Sequence, residues 1–362
     1  MGWGLVGHQE AVVQLSRALA TGRLAHAYLF VGPKGVGKGT LARALAQAVN
    51  CSAAEPPCGA CASCRRIGAG KHTDVRVLAI GAKDGKERTE TGFEQQKERA
   101  EIGFKQVEEL QHLAALRPFE GTYRVFIVDE AERMSSAAAN RLLKTLEEPP
   151  PQVLLILLTA SERELLPTLL SRCQPIRLRT LAEADVLAAL RERGMADEEA
   201  RRVARLAQGR VGWALAVAAD GAPLQKREER LDQVVELTEA DREQRFAFAT
   251  ELETLFRRNR EEGRAVLELW REWWRDLLLW KTGMGEWATN LDRRTAAEAQ
   301  AARLELGGIA ATLRRLDETA AALEANVTPR LALDVLMLAM PRVDAGTSGQ
   351  QARAPETVQS EA

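Results

Sequence analysis

The chain has 362 residues, 46% hydrophobic and 28% charged, with 50 Lys and Arg against 51 Asp and Glu for a formal net charge of −1. That length suits two or three domains, each with its own core, and excludes a small stapled module. No apolar run approaches the ~18 residues that cross a bilayer and the N-terminus lacks a signal pattern, so a cytoplasmic protein making no membrane contact is expected. Near-neutrality gives no blanket attraction for nucleic acid; contact with DNA would need a local patch or partner subunits.

Up to about residue 180, short aliphatic runs alternate with longer Ala-, Leu- and Arg-rich periodic segments, the rhythm of an α/β domain with a parallel sheet. Residues 27–31 (AYLFV) read as a buried strand, and a glycine-rich turn leads into a helix over 37–49. A loop with four cysteines follows. Residues 81–104 form a charged insertion expected as a surface loop, before a helix over 105–116 that stops short of Pro118. Strands follow at 125–128 and 153–158, separated by a helix from Ser136 that Ser135 caps. Beyond Thr180 strand signals vanish. Three short helices over 183–193, 197–207 and 212–219 read as a lid. From about Leu231 longer amphipathic segments take over, at 243–256, 263–280, 294–306, 309–324 and 329–340. Thr328 and Pro329 give the last helix a start signal. The expected division is 1–180 for the α/β domain, 181–230 for the lid, 231–343 for an all-helical domain, and a polar tail over 344–362.

The turn 32–40 (GPKGVGKGT) lies between the first strand and a periodic helix, where glycines let backbone amides wrap a phosphate and a lysine reaches its terminal oxygens. Gly32, Gly37 and Lys38 fit that pattern, and Gly35, Gly39 and Thr40 complete the candidate nucleotide-binding set. The pattern wants Ser or Thr directly after the lysine to hold magnesium; here Gly39 stands there. Thr40 comes one place late, about 100° around the helix. The structural alternative is an ordinary strand-to-helix turn with relict glycines.

In VFIVDE (125–130) two acids emerge at the carboxyl end of a strand, the edge where ligand crevices open. Asp129 is placed to hold magnesium and Glu130 to polarise an attacking water. Thr159, ending the next strand, can contact a terminal phosphate. Arg172 follows a short helix, where it serves either as a surface ion-pairing residue or as a group reaching a neighbouring subunit's phosphates.

Cys51, Cys58, Cys61 and Cys64 fall within fourteen residues, spaced C-x6-C-x2-C-x2-C, with Cys173 far away. Four thiolates suit tetrahedral structural zinc and leave no open position for substrate. Spacing alone does not separate zinc from an iron–sulfur centre. His8, His26, His72 and His112 are scattered and suggest no second metal. The tryptophans of 269–283 (LWREWWRDLLLWKTG) form two adjacent stripes, Trp273 and Trp280 with Leu277, and Trp270 with Trp274; burial within the domain and burial between subunits both remain open. NVT at 326–328 is an accidental glycosylation match in a cytoplasmic chain.

The series HAYLFVGPKGVGK (26–38), the cysteine cluster, VDEAERMS (128–135), NRLLKTLEEPP (140–150) and SRC (171–173) resembles bacterial clamp-loader subunits of the AAA+ class. The likeness runs from about Gly4 through the lid, and the C-terminal region is similar to their ring-forming collar. It implies an α/β AAA+ fold: a RecA-like P-loop core with an inserted zinc module, a helical lid and an all-α collar. It also implies zinc on Cys51, Cys58, Cys61 and Cys64, ATP or ADP with Mg2+ at the glycine loop, and Arg172 as an arginine finger acting in trans. The partners implied are clamp-loader delta and tau/gamma subunits in a heteropentameric ring, and through it the sliding clamp and primed DNA. The setting is the DNA polymerase III holoenzyme, a DNA-directed DNA polymerase complex.

That family contains an ATP-hydrolysing tau/gamma motor and a delta prime kind with a degenerate site of its own. Gly39, and Gly212 in GRVGWAL (209–215) where the motor carries a sensor arginine, favour the delta prime kind, as do the tryptophan-rich stretch and an end soon after the collar. The expected role is to bridge delta and tau/gamma while supplying Arg172, with little ATPase of its own. The alternative is a motor subunit that itself binds and hydrolyses ATP.

Overall fold

Strand β4 (Val153–Thr159, VLLILLT) is buried at all seven positions, as an aliphatic run between two layers of helices should be. The computed structural model describes residues 3–80, 101–325 and 327–342. β4 lies between β1 (Ala27–Val31) and β3 (Arg124–Val128), with β2 (Val75–Leu78) and β5 (Gln174–Arg177) outside them. The five strands run β2-β3-β4-β1-β5 and every pair is parallel. This is the RecA-like core that the sequence implied. β5 escapes a reading by apolar runs because it is short and holds Pro175, which an edge strand tolerates.

Among the described residues six helices flank the sheet: α1 (Gln9–Ala20), α2 (Lys38–Val49), α3 (Ala62–Gly68), α4 (Phe104–Ala114), α5 (Ser136–Glu147) and α6 (Pro167–Leu170). Alternation along β1 feeds two cores. Tyr28 and Phe30 pack with Leu15 of α1 and Leu41 and Leu45 of α2, whereas Leu29 packs with Leu110 of α4 and Leu142 of α5. The Ser135 hydroxyl accepts from the Ala138 amide at 3.2 Å, capping α5 as expected. The lid comprises α7 (Glu183–Glu192), α8 (Asp197–Ala207) and α9 (Val211–Ala219), closed over Val186, Leu190, Val203 and Ala214.

The chain divides at Pro223/Leu224 into two compact units, so base and lid belong together. The second unit is helical: α10 (Ala222–Glu239), α11 (Arg242–Arg258), α12 (Arg260–Lys281), α13 (Arg294–Arg303), α14 (Leu306–Glu324) and α15 (Pro329–Ala339). α10 opens earlier than residue 231, the expected boundary, because its first turns are held by charge. Lys226 pairs with Glu262, and Arg227 pairs with Glu272 and bonds Asn290. Hydrophobic periodicity has no view of such contacts. Trp270, Trp273 and Trp274 are fully buried within this unit, and the Trp273 indole donates to Gln300 at 3.0 Å. Pro329 opens α15, although the Thr328 hydroxyl makes no cap bond. Among the described residues no helix is long and apolar enough to cross a membrane. Residues 81–100, Asn326 and the tail from 343, on which most of the insertion and the NVT and tail expectations fall, lie outside the described residues; at the end of the insertion, Ile102 is buried rather than at the surface and Phe104 already opens α4.

Candidate functional site

The sheet's carboxyl edge gathers the first group of candidate residues. β1 runs into Gly32, whose amide donates to the Thr159 carbonyl of β4 at 3.1 Å. Gly37 caps α2 with φ of 113°, a conformation that side-chain-bearing residues rarely adopt. The positive end of α2 therefore points into the loop. Lys38 turns back and donates to the Gly32 carbonyl and to that of Pro33 at 3.1 Å. Its pKa is lowered by burial, an effect the nearby Glu132 and Asp129 partly oppose.

Asp129 follows β3, and its carboxylate accepts from the Glu130 amide at 3.0 Å. Glu130 sits in the left-handed region with φ of 50° and opens a short 3-10 turn. Burial raises its pKa, with Lys34 opposing and Asp129 adding to the rise. The Thr159 hydroxyl is engaged in a turn, donating to the Ser161 carbonyl at 3.0 Å. Gly39 and Thr40 are exposed on the first turn of α2. A side chain added at Gly39 would meet open space, so a hydroxyl there is missing for no steric reason.

Two contacts on this edge escape sequence reading. The His8 ring bonds the Val36 carbonyl through Nε2 at 2.8 Å, tying the segment before α1 to the loop. From the lid, the Gly212 amide donates to the Gly35 carbonyl at 2.6 Å. A Cβ at Gly212 would lie 2.7 Å from that oxygen, so glycine is what lets the lid close directly on the loop.

The opposite, amino edge carries the rest. Arg172 stands two residues before β5, whose Gln174 pairs with Tyr28 near the start of β1. The length of β1, about 15 Å, separates that level from the glycine loop. The Arg172 guanidinium meets Glu147 at 2.8 Å, and its side chain is 35% exposed. Cys173 beside it is buried, its thiol pushed up to about 12 by desolvation.

α2 delivers the chain to this same edge, where the four cysteine sulfurs lie within 4.8 Å of one another. The Cys58–Cys64 and Cys51–Cys61 sulfurs are each 4.0 Å apart, close to the roughly 3.8 Å edge of a tetrahedron with 2.3 Å Zn–S bonds. Amides of Cys58, Cys61 and Cys64 donate to the sulfurs of Cys51, Cys58 and Cys61 at 3.3–3.4 Å. The Cys64 amide, with smaller contributions from neighbouring groups, brings Cys61 down to about 6, and the Cys61 amide lowers Cys58. Burial pushes Cys64 up to about 12. The donor set is all sulfur and backbone-supported, which suits a thiophilic metal ion.

Beside the cluster, Asp74 is fully buried and accepts from the amides of Phe119, Glu120 and Gly121, each at 2.8 Å, and from Arg124 at 3.0 Å. Burial works against its charge, but those donors outweigh burial and hold its pKa below the ordinary value. Arg66 of α3 pairs with Glu120, so the cysteine module is fastened to this polar lock.

A parallel five-stranded base with a glycine loop after β1, two acids after β3 and a helical lid is the arrangement of a RecA-like fold. Residues 7–182 match the family described as DNA polymerase III, delta subunit. DNA polymerase III subunit tau of Escherichia coli K12 is 33% identical over 179 residues, 49% of this chain and 25% of that protein. The gamma/tau subunit of Mycobacterium tuberculosis H37Rv is 35% identical over 178 residues, 48% of this chain and 28% of that one. The chain thus spans about a quarter of the length of these curated relatives. Among solved structures, a DNA polymerase III gamma subunit-related protein of Thermotoga maritima aligns over 90% of this chain and 97% of its own, at 17% identity and a TM-score of 0.42. Its base region, residues 7–182, is thus similar to the delta and tau/gamma subunits of DNA polymerase III.

Proposed function

We propose that this chain is a delta prime-type subunit of a bacterial clamp loader, working in the cytoplasm. In this reading it joins delta and tau/gamma subunits in a heteropentameric ring and helps to load the sliding clamp onto primed DNA with ATP. The observation that carries the reading is the placement of Arg172, exposed on the amino edge while the chain's own glycine loop lies on the carboxyl edge. From there it cannot serve the loop of its own chain, whereas a neighbour docked on that edge would bring phosphates to it. A guanidinium so placed neutralises charge that develops on the transferring phosphoryl group.

The cis site supports the same division of labour. Lys38 is engaged with its own loop, the Gly212 amide closes the lid on Gly35, and Gly39 offers no magnesium ligand. In the proposed scheme the ring holds an open clamp while the motor subunits retain ATP, and hydrolysis there releases the clamp onto DNA. Zinc on Cys51, Cys58, Cys61 and Cys64 would act structurally, cross-linking a segment with little apolar core of its own. Metal analysis of the purified chain should return one zinc per chain, lost in a Cys58→Ser, Cys61→Ser variant; iron would turn that assignment toward a cluster.

The motor alternative draws on Lys38, Asp129 and Glu130 meeting at one edge and on the likeness to tau and gamma/tau. ATP turnover separates the two. The isolated chain with Mg-ATP and primed DNA should hydrolyse little, while a reconstituted loader carrying Arg172→Ala should assemble and turn over slowly. Robust turnover by the isolated chain, abolished by Lys38→Ala, would reverse the choice.

A further inference from the structure

Arg172 does not hang free. Its Nη2 meets the Glu147 carboxylate at 2.8 Å, and its Nη1 donates to the Thr168 carbonyl at 3.0 Å and to the Ser171 hydroxyl at 3.3 Å. The guanidinium is gripped from two elements, the end of α5 and the end of α6, and keeps its remaining N–H groups for an incoming ligand.

Glu147 is the last residue of α5. That is the negative end of a helix dipole, where a carboxylate is opposed rather than favoured. Both side chains of the pair are well exposed, 35% and 50%, and exposed pairs contribute little to stability. Neither helix energetics nor surface stability therefore explains a carboxylate at this point. Arginine orientation does: anchoring a long, rotamer-rich side chain beforehand removes the ordering cost that a phosphate would otherwise have to offset.

We propose that Glu147 is a positioning residue for Arg172. Resting on the trans-acting role proposed above, it fixes the plane of the guanidinium so that its unused N–H groups face the terminal phosphate of a nucleotide held by the adjacent subunit. Thr168 and Ser171 set the other side of that plane. Glu147 itself touches no nucleotide, and no proton changes hands.

The test is a double-mutant cycle in the fully reconstituted loader, with the full-length chain, motor subunits, sliding clamp, primed DNA and Mg-ATP. Arg172→Ala, Glu147→Ala, their combination and Glu147→Gln are compared by kcat and KM for ATP. Glu147→Ala should lower kcat about fivefold with KM unchanged. Glu147→Gln, which still accepts from Nη2, should recover at least half of that loss. The double variant should lie within about twofold of Arg172→Ala alone, because Glu147 acts only through the arginine. Unchanged or faster turnover in Glu147→Ala overturns the proposal, as does full additivity with Arg172→Ala, and co-purification of the ring separates either result from failed assembly. If Arg172→Ala itself leaves turnover intact, the trans-acting reading fails and Glu147 falls with it. A loss in Arg172→Ala without one in Glu147→Ala removes Glu147 alone.

Discussion

The two edges of one sheet treat their charged residues in opposite ways. At the carboxyl edge Lys38 bends onto its own loop, Glu130 is raised by burial and the lid closes on Gly35. At the amino edge Asp74 is locked into a complete set of donors, while Arg172 is held out toward solvent by Glu147. The glycine loop and the anchored arginine are separate arrangements, built at opposite ends of the same strands. One can decay while the other is kept, which is what the proposed place in a ring of unequal subunits would require.

The sharpest way to break that contrast is to remove the presented group. Arg172→Ala in a reconstituted loader should lower ATP turnover by roughly 10³-fold, the lower range for an arginine finger, while leaving the ring intact by gel filtration. An effect below about tenfold would mean that the amino edge is only a surface.

Next in size is the lock beneath it. Asp74→Asn leaves Arg124 buried without its counter-charge and should cost about 3 kcal/mol of stability in denaturant unfolding of the intact chain. The pH dependence follows from the lowered pKa. A carboxylate held below its unfolded value of 3.8 contributes stability that is fully present above that value. That contribution fades as pH falls through the folded value, because the unfolded chain then binds the extra proton. The wild-type chain should therefore lose stability more steeply than Asp74→Asn below about pH 4; parallel curves would deny Asp74 its role.

Much of this was legible before any coordinates. The aliphatic runs at 27–31 and 153–158 read as buried parallel strands, and the cysteine spacing pointed to a metal-binding loop. What sequence could not show was contact. Gly212 was readable as a missing arginine, but not as the residue whose amide meets Gly35, because nothing local specifies where a lid lands. Glu147 stood in the sequence only as an acid ending a helix before Pro149, with nothing local to name the cation it meets. The early start of α10 was hidden because ion pairs, not apolar periodicity, hold its first turns.

At the carboxyl edge the lid contact can be tested by size alone. Gly212→Ala places a methyl group 2.7 Å from the Gly35 carbonyl, and the partner is backbone, which yields poorly. The expected cost is about 2 kcal/mol, typical of overpacking, seen as a lowered denaturant midpoint. Gly39→Ala, which meets open space, serves as the matched control. Equal effects of the two would remove the special status of the lid contact.

The smallest expected effect is the most discriminating. Lys38→Ala removes the cation that a hydrolysing loop needs most, yet here that cation is engaged with the carbonyls of Gly32 and Pro33 and its charge is disfavoured by burial. In a reconstituted loader the substitution should change ATP turnover by less than about twofold, because in the proposed role the nucleotide turned over sits on other subunits. A motor subunit would instead lose its own share of hydrolysis, and the whole ring would slow. Measured beside Arg172→Ala in the same preparation, a large loss at the amino edge with almost none at the carboxyl edge is the signature of a chain that serves its neighbour's site. Comparable losses at both edges would make it a motor.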